Sequence, residues 1–117
     1  GSYSCFYRDI KGKELPYQPE RPSEQLNILD ELTEVFEDRK INPKEDSYVC
    51  HLLASPGEKM PKKIAEEAAE VLIAVKDKDK KQIIYETADL LFHTLVALSY
   101  FNISYQDILK ELRSRRK

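Results

Sequence analysis

The chain has 117 residues, of which 41% are apolar and 34% charged, and its formal net charge is −2. That is one domain's length, with apolar residues for a modest core and no overall positive field to draw in nucleic acid or an acidic membrane. No apolar run approaches the roughly 20 residues of a membrane span, no secretory signal is evident, and two cysteines exclude a disulfide scaffold. A small cytoplasmic domain is expected.

Pro16, Pro19 and Pro22 fall within KGKELPYQPERP, which disfavours helix and reads as an extended linker. Ser23 is the expected N-cap of a first main helix running to about Lys40, with Leu26, Leu29, Leu32 and Phe36 on one stripe. After the Asn42-Pro43 break, Ser47 to Ala54 suits a turn or two of helix. A second main helix is expected from about Pro61, a residue suited to a first turn, to Lys76. Its core stripe is Ile64, Ala68, Val71, Leu72 and Val75. Asp77-Lys78 makes a tight turn, and Asp79, with Gln82 at capping-box spacing, starts a third helix to about Phe101. Asn102 ends it. Ser104, with Asp107 three residues on, opens a fourth to about Arg115. From Lys62 to Lys117 there is neither Gly nor Pro, and strand alternation is nowhere convincing. The expected fold is all-α, an antiparallel bundle of four main helices with the second and third joined as a hairpin.

The third helix carries the informative anomaly. Thirteen of the nineteen residues from Ile83 to Phe101 are apolar, and its titratable groups, tyrosines aside, are Glu86, Asp89 and His93. At about 100° per residue, Asp89 lies near −60° and His93 near −20° from Glu86, so all three share one stripe. Ala88, Leu91, Leu95 and Leu98 occupy the opposite half, and Phe92 and Val96 extend the apolar surface. A helix this apolar is largely buried, so its two carboxylates are candidates for the wall of a polar cavity. No Lys or Arg lies between Gln82 and Leu109, so a cation from elsewhere must compensate them, or the stripe must be wet.

The second helix supplies the matching half. Taking Glu66 as zero, Glu70 lies near 40°, Lys63 near 60° and Glu67 near 100°. In an antiparallel hairpin the two acidic stripes stand at comparable distances from the Asp77-Lys78 turn, so they can meet. Carboxylate oxygens converging without thiolates suit a hard cation, Mg²⁺ or Mn²⁺. Each part has a plainer reading: Lys62/Glu66 and Lys63/Glu67 as surface i,i+4 pairs, His93 as a hydrogen-bonded core-edge histidine, Ser47 and Tyr48 as cap and packing residues.

Glu66-Glu67-Ala-Ala-Glu70 followed by Glu86-Thr-Ala-Asp89 resembles the EExxE…ExxD signature of the all-α, MazG-like nucleoside triphosphate pyrophosphohydrolases. The wider string from SYVCHLLASPGEKMPKKIAEEAAEV to ETADLLFHTLVAL is similar to the phosphoribosyl-ATP pyrophosphohydrolase family in particular, over about Leu26 to Leu112. Ser47-Tyr48, Lys63 and Asp89-Leu-Leu-Phe-His93 share in that likeness. GSYSCFYR resembles the closing segment of phosphoribosyl-AMP cyclohydrolase, to which the family is fused in some organisms. Residues 1–22 are accordingly expected to be the stub of an upstream domain and a linker, and residues 23–117 the helical domain. The cyclohydrolase cysteine matched by Cys5 is a zinc ligand. With no other Cys or His nearby to complete such a site, no cyclohydrolase activity is expected here.

The resemblance implies hydrolysis of 1-(5-phosphoribosyl)-ATP to 1-(5-phosphoribosyl)-AMP and pyrophosphate, the second step of histidine biosynthesis. It implies Glu67, Glu70, Glu86 and Asp89 as Mg²⁺ ligands, with Mn²⁺ as the other candidate. Glu66 is implied outside those ligands, in water activation, or in both. Lys63 would contact phosphate oxygens, with Lys59 and Lys62 as weaker candidates, and Ser47, Tyr48 and His93 as further substrate-binding residues. A homodimer with the site near the subunit interface is expected, because the third helix is apolar over more of its circumference than one protomer can cover. The rival readings are a housecleaning nucleotide pyrophosphatase with the same cluster, a di-iron carboxylate bundle lacking its Glu-x-x-His pairs, and a non-catalytic helical dimerisation module.

Overall fold

The structure is a computed structural model that describes residues 27–116. The chain divides into two compact units, one ending at His51 and the other beginning at Leu52. The described residues form five helices and no strand, which bears out the all-α reading.

In the first unit, α1 (Ile28–Ile41) starts after Asn27, whose extended backbone lets its side-chain oxygen accept the Leu29 N–H at 3.1 Å. Asp30 and Glu31 in the first turn and Arg39 and Lys40 in the last match the helix dipole. The helix therefore begins later than the expected start at Ser23. Ser23 itself, Leu26, the linker prolines and the Cys5 segment lie outside the described residues. Leu32, Val35, Phe36 and Arg39 are buried along one stripe, and the Arg39 guanidinium pairs with Asp38 at 2.8 Å. The loop that follows is closed by its own polar groups: the Lys44 N–H donates to Cys50 Sγ at 3.3 Å, and His51 Nε2 lies 2.8 Å from the Glu45 carbonyl. Ser47 precedes α2 (Tyr48–Leu53), and its hydroxyl accepts the Cys50 N–H at 3.1 Å.

In the second unit, α3 (Lys59–Lys76) begins two residues before Pro61. The proline occupies the third helical position, where its missing N–H removes no intrahelical bond. Ser55 Oγ instead accepts the Lys59 N–H at 3.0 Å. Asp77, Lys78 and Asp79 connect α3 to α4 (Lys80–Tyr100), and the two helices pack together as the expected hairpin. Lys78 takes the left-handed φ of 56°, its N–H bonding the Val75 carbonyl while the Asp79 N–H reaches Ala74. The same paired closure ends α4, where Asn102 has φ 58°, its N–H bonds Ser99 and the Ile103 N–H bonds Leu98. Asp79 also caps α4, accepting the Gln82 N–H at 3.2 Å. Ser104 and Asp107 form the full reciprocal capping box that opens α5 (Tyr105–Ser114).

The expected core stripe of α3 needs correction. The residues buried on it are Met60, Glu67 and Ala74, seven apart and hence on one face. Ile64 and Val71 are half-buried, while Ala68, Leu72 and Val75 are exposed. On α4 the inward stripe is Asp89, Phe92, His93, Leu95, Val96 and Ser99. Leu91 and Ala88 face outward, with Ile84 71% exposed beside them. The hairpin thus turns its acidic stripes inward and leaves an aliphatic strip on the surface of the single chain. Hydrophobic periodicity locates an apolar face without saying which partner covers it, and that ambiguity produced the inversion. No helix among the described residues is long and apolar enough to cross a membrane.

Replacing Ser104 with Ala removes half of the capping box and is expected to cost about 1 kcal/mol in denaturant unfolding. Lys78→Gly relieves the left-handed backbone of a side chain and is expected to stabilise the protein, whereas Asn102→Gly changes stability little because Asn tolerates that conformation.

Candidate metal centre

The three-residue connection sets the register of the site. Residues equally far from Lys78 along the chain stand at equal heights on α3 and α4, since each helix rises about 1.5 Å per residue. Glu70 is thereby level with Glu86, Glu67 with Asp89, and Lys63 with His93. One carboxylate oxygen from each of Glu67, Glu86 and Asp89 lies within 4.8 Å of the other two. Glu67 and Asp89 are buried and Glu86 half-buried.

The electrostatics of this cluster follow from its crowding. Burial raises the pKa of Glu67 most; the hydrogen bond and negative charge of Asp89 raise it further, against an opposing pull from Lys63. Glu86 is raised as well, by burial first and then by the charges of Glu70, Glu67 and Asp89. Lys63 supplies the local positive charge, with Nζ 3.3 Å from Glu66 Oε1 and 3.4 Å from Glu67 Oε2. Burial lowers the pKa of His93, the Asp89 backbone bond opposing it, and leaves the ring neutral near pH 7.

The residues singled out in the sequence separate into groups. Glu67, Glu86 and Asp89 come together. Glu70 is exposed and outside that trio, though near enough to Glu86 to affect its titration. Glu66 lies at the rim with its side chain 46% exposed, paired to Lys63. Lys59 and Lys62 are exposed near the start of α3. Ser47 and Tyr48 belong to the first unit, as the residue before α2 and its first residue. His93 is buried with Nδ1 against Asp89. The buried Arg39 was missed by sequence reasoning, although it continues the Leu32, Phe36 stripe by three residues.

A hard divalent cation fits this donor set. All the converging donors are carboxylate oxygens, as Mg²⁺ and Mn²⁺ prefer. Their oxygens already lie within 4.8 Å of one another, and side-chain adjustment would bring them to the closer spacing that ligands at about 2.1 Å from one ion require.

Both raised carboxyls stabilise the fold fully below their unfolded pKa near 4.5, and that contribution fades as pH rises through their raised folded values. The thermal midpoint of chelator-treated protein is therefore expected to fall from about pH 5 toward neutrality. Glu67→Gln should flatten that trend and raise the midpoint at pH 7 by a few degrees, the shift that about 1 kcal/mol produces in a domain of this size.

A family model described as phosphoribosyl-ATP pyrophosphohydrolase matches residues 29–116. The chain is 48% identical over 93 residues to the phosphoribosyl-ATP pyrophosphatase of Methanococcoides burtonii, a match covering 78% of this chain and 94% of that one. It is 48% identical over 120 residues to the histidine biosynthesis bifunctional protein HisIE of Pyrococcus furiosus, covering 100% of this chain and 53% of the relative. The corresponding HisIE protein of Thermoanaerobacter pseudethanolicus is 42% identical over 119 residues, with 95% and 55% covered. The chain spans about half the length of these bifunctional relatives. With the match running from α1 to the end of α5, through both acidic stripes, the chain belongs to the phosphoribosyl-ATP pyrophosphohydrolase family.

Proposed function

We propose that this chain hydrolyses 1-(5-phosphoribosyl)-ATP to 1-(5-phosphoribosyl)-AMP and pyrophosphate in histidine biosynthesis, using Mg²⁺ held by Glu67, Glu86 and Asp89 with Glu70 completing the set. The observation that carries this reading is the convergence of three carboxylate oxygens within 4.8 Å inside an apolar hairpin, in a chain of this family. When bound, the ion screens a polyphosphate from the acidic cluster and stabilises charge building on the departing pyrophosphate.

The chain's own residues do the rest. Lys63 stands at the rim between Glu66 and Glu67 and offers a mobile point charge to phosphate oxygens. Lys59 and Lys62, exposed toward the start of the same helix, extend that positive edge. Glu66 keeps a solvent-exposed carboxylate in which to hold a water and take its proton. Ser47 and Tyr48 are assigned to the nucleotide on the family resemblance alone.

Two assemblies belong to the same proposal. Residues 1–22 are read as the end of an upstream cyclohydrolase unit and its linker, in line with the bifunctional relatives. A second copy is proposed to cover the strip formed by Leu72, Val75, Ile84 and Leu91, which one chain leaves exposed.

Glu70→Gln and Asp89→Asn are each expected to abolish turnover of phosphoribosyl-ATP while leaving helicity by circular dichroism unchanged. A turnover rate that survives both changes refutes the metal reading. Assay against a panel of deoxynucleoside triphosphates separates the histidine pathway from nucleotide housecleaning, and preferred turnover of any panel member moves the assignment there. Sedimentation at micromolar concentration is expected to give a dimer; a folded, fully active monomer removes the second copy from the account.

A further inference from the structure

His93 lies one turn beyond Asp89 on α4 and is 1% exposed. Its Nδ1 is 2.7 Å from the Asp89 carbonyl oxygen and 3.6 Å from the Asp89 carboxylate Oδ1. A carbonyl oxygen can only accept, so the ring carries its proton on Nδ1. The ring also stands edge-on to Phe92, with centroids 5.3 Å apart and planes at 85°, which limits its freedom to turn. The helical ladder already gives the Asp89 carbonyl the backbone N–H of residue 93, so the imidazole proton is not required to satisfy that oxygen. Packing alone does not call for it either, because the neighbouring buried positions on this helix are filled by Phe92, Leu95 and Val96.

We infer that His93 is a positioning residue for Asp89: its Nδ1–H, held at the backbone carbonyl and beside the carboxylate, fixes the side-chain conformation in which Asp89 presents an oxygen to Glu67 and Glu86. The inference rests on the proposed metal reading and adds to it a role within the protein for a residue that the sequence had suggested as a substrate contact. A carboxylate with the N–H edge of a fixed ring 3.6 Å from its Oδ1 is held in place before the cation arrives, so less ordering is left to be done on binding. His93 is too deeply buried to meet a solvent-borne nucleotide directly.

The test measures Mg²⁺ binding to the full chain by titration calorimetry without nucleotide, alongside thermal midpoints. His93→Phe keeps the ring and loses the donor; it is expected to weaken Mg²⁺ binding by roughly 10- to 100-fold without lowering the melting midpoint. His93→Asn places an amide N–H where Nδ1 stood and is expected to recover most of that loss. His93→Gln places its amide nearer the Nε2 position and is not. Phe92→Leu serves as the packing control, lowering the midpoint with Mg²⁺ affinity retained. Unchanged affinity in the Phe variant overturns the inference, and so does equal affinity of the Asn and Gln variants, a comparison that holds even if the Phe variant fails to fold. If the unaltered chain binds no Mg²⁺ at millimolar concentration, the metal reading fails first and this role falls with it.

Discussion

The hairpin is organised around a repulsion. Three carboxylates meet between two packed helices, and a positive charge beside them is the Lys63 ammonium, 3.4 Å from Glu67. Such crowding is unfavourable in a weakly polar setting unless protons or cations offset it. Here the raised titration of Glu67 and Glu86 records that tension. A structure selected for stability alone has little reason to turn Glu67 inward between Met60 and Ala74. The arrangement makes physical sense as a place for the divalent ion proposed above, whose charge would offset the crowding.

The same choice of face governs the outside of the hairpin. Because the acidic stripe takes the inward position, aliphatic residues that would ordinarily form a core are displaced to the surface. Leu72 on α3 and Ile84 on α4 are 59% and 71% exposed, high values for such large aliphatic side chains. Inward polarity and outward apolarity are thus two results of one rotation of α3 and α4. The site and the surface strip were built together.

Much of this was legible in the residues. The lack of Gly and Pro after Pro61 announced long helices, Asp79 and Ser104 marked starts that the structure keeps, and Asn102 marked an end. The meeting of Glu67 with Asp89 followed from angular position and a short turn. The burial pattern of α3 was not legible, since Ile64, Ala68, Val71, Leu72 and Val75 form as good an apolar stripe as any core helix has. Periodicity ranks faces by composition, whereas the choice between them was made by polar groups that needed each other. Lys78 gave no signal either, because nothing in a lysine's chemistry favours a left-handed backbone. The start of α1 was misplaced because two competent caps, Ser23 and Asn27, stand one turn apart.

The connection through Asp77, Lys78 and Asp79 has a consequence for how this sequence can vary. Each level of the site is defined by a pair of positions whose numbers are balanced about a single residue, so the spacing of the chain and the chemistry of the pocket are one specification. Swapping side chains within a helix alters one rung at a time. Inserting or deleting a single residue within either helix between the bend and the site would turn its acidic stripe by about 100° and shift it by about 1.5 Å relative to the other, disengaging every rung at once. Descent within this architecture can therefore edit spelling freely but must preserve the count.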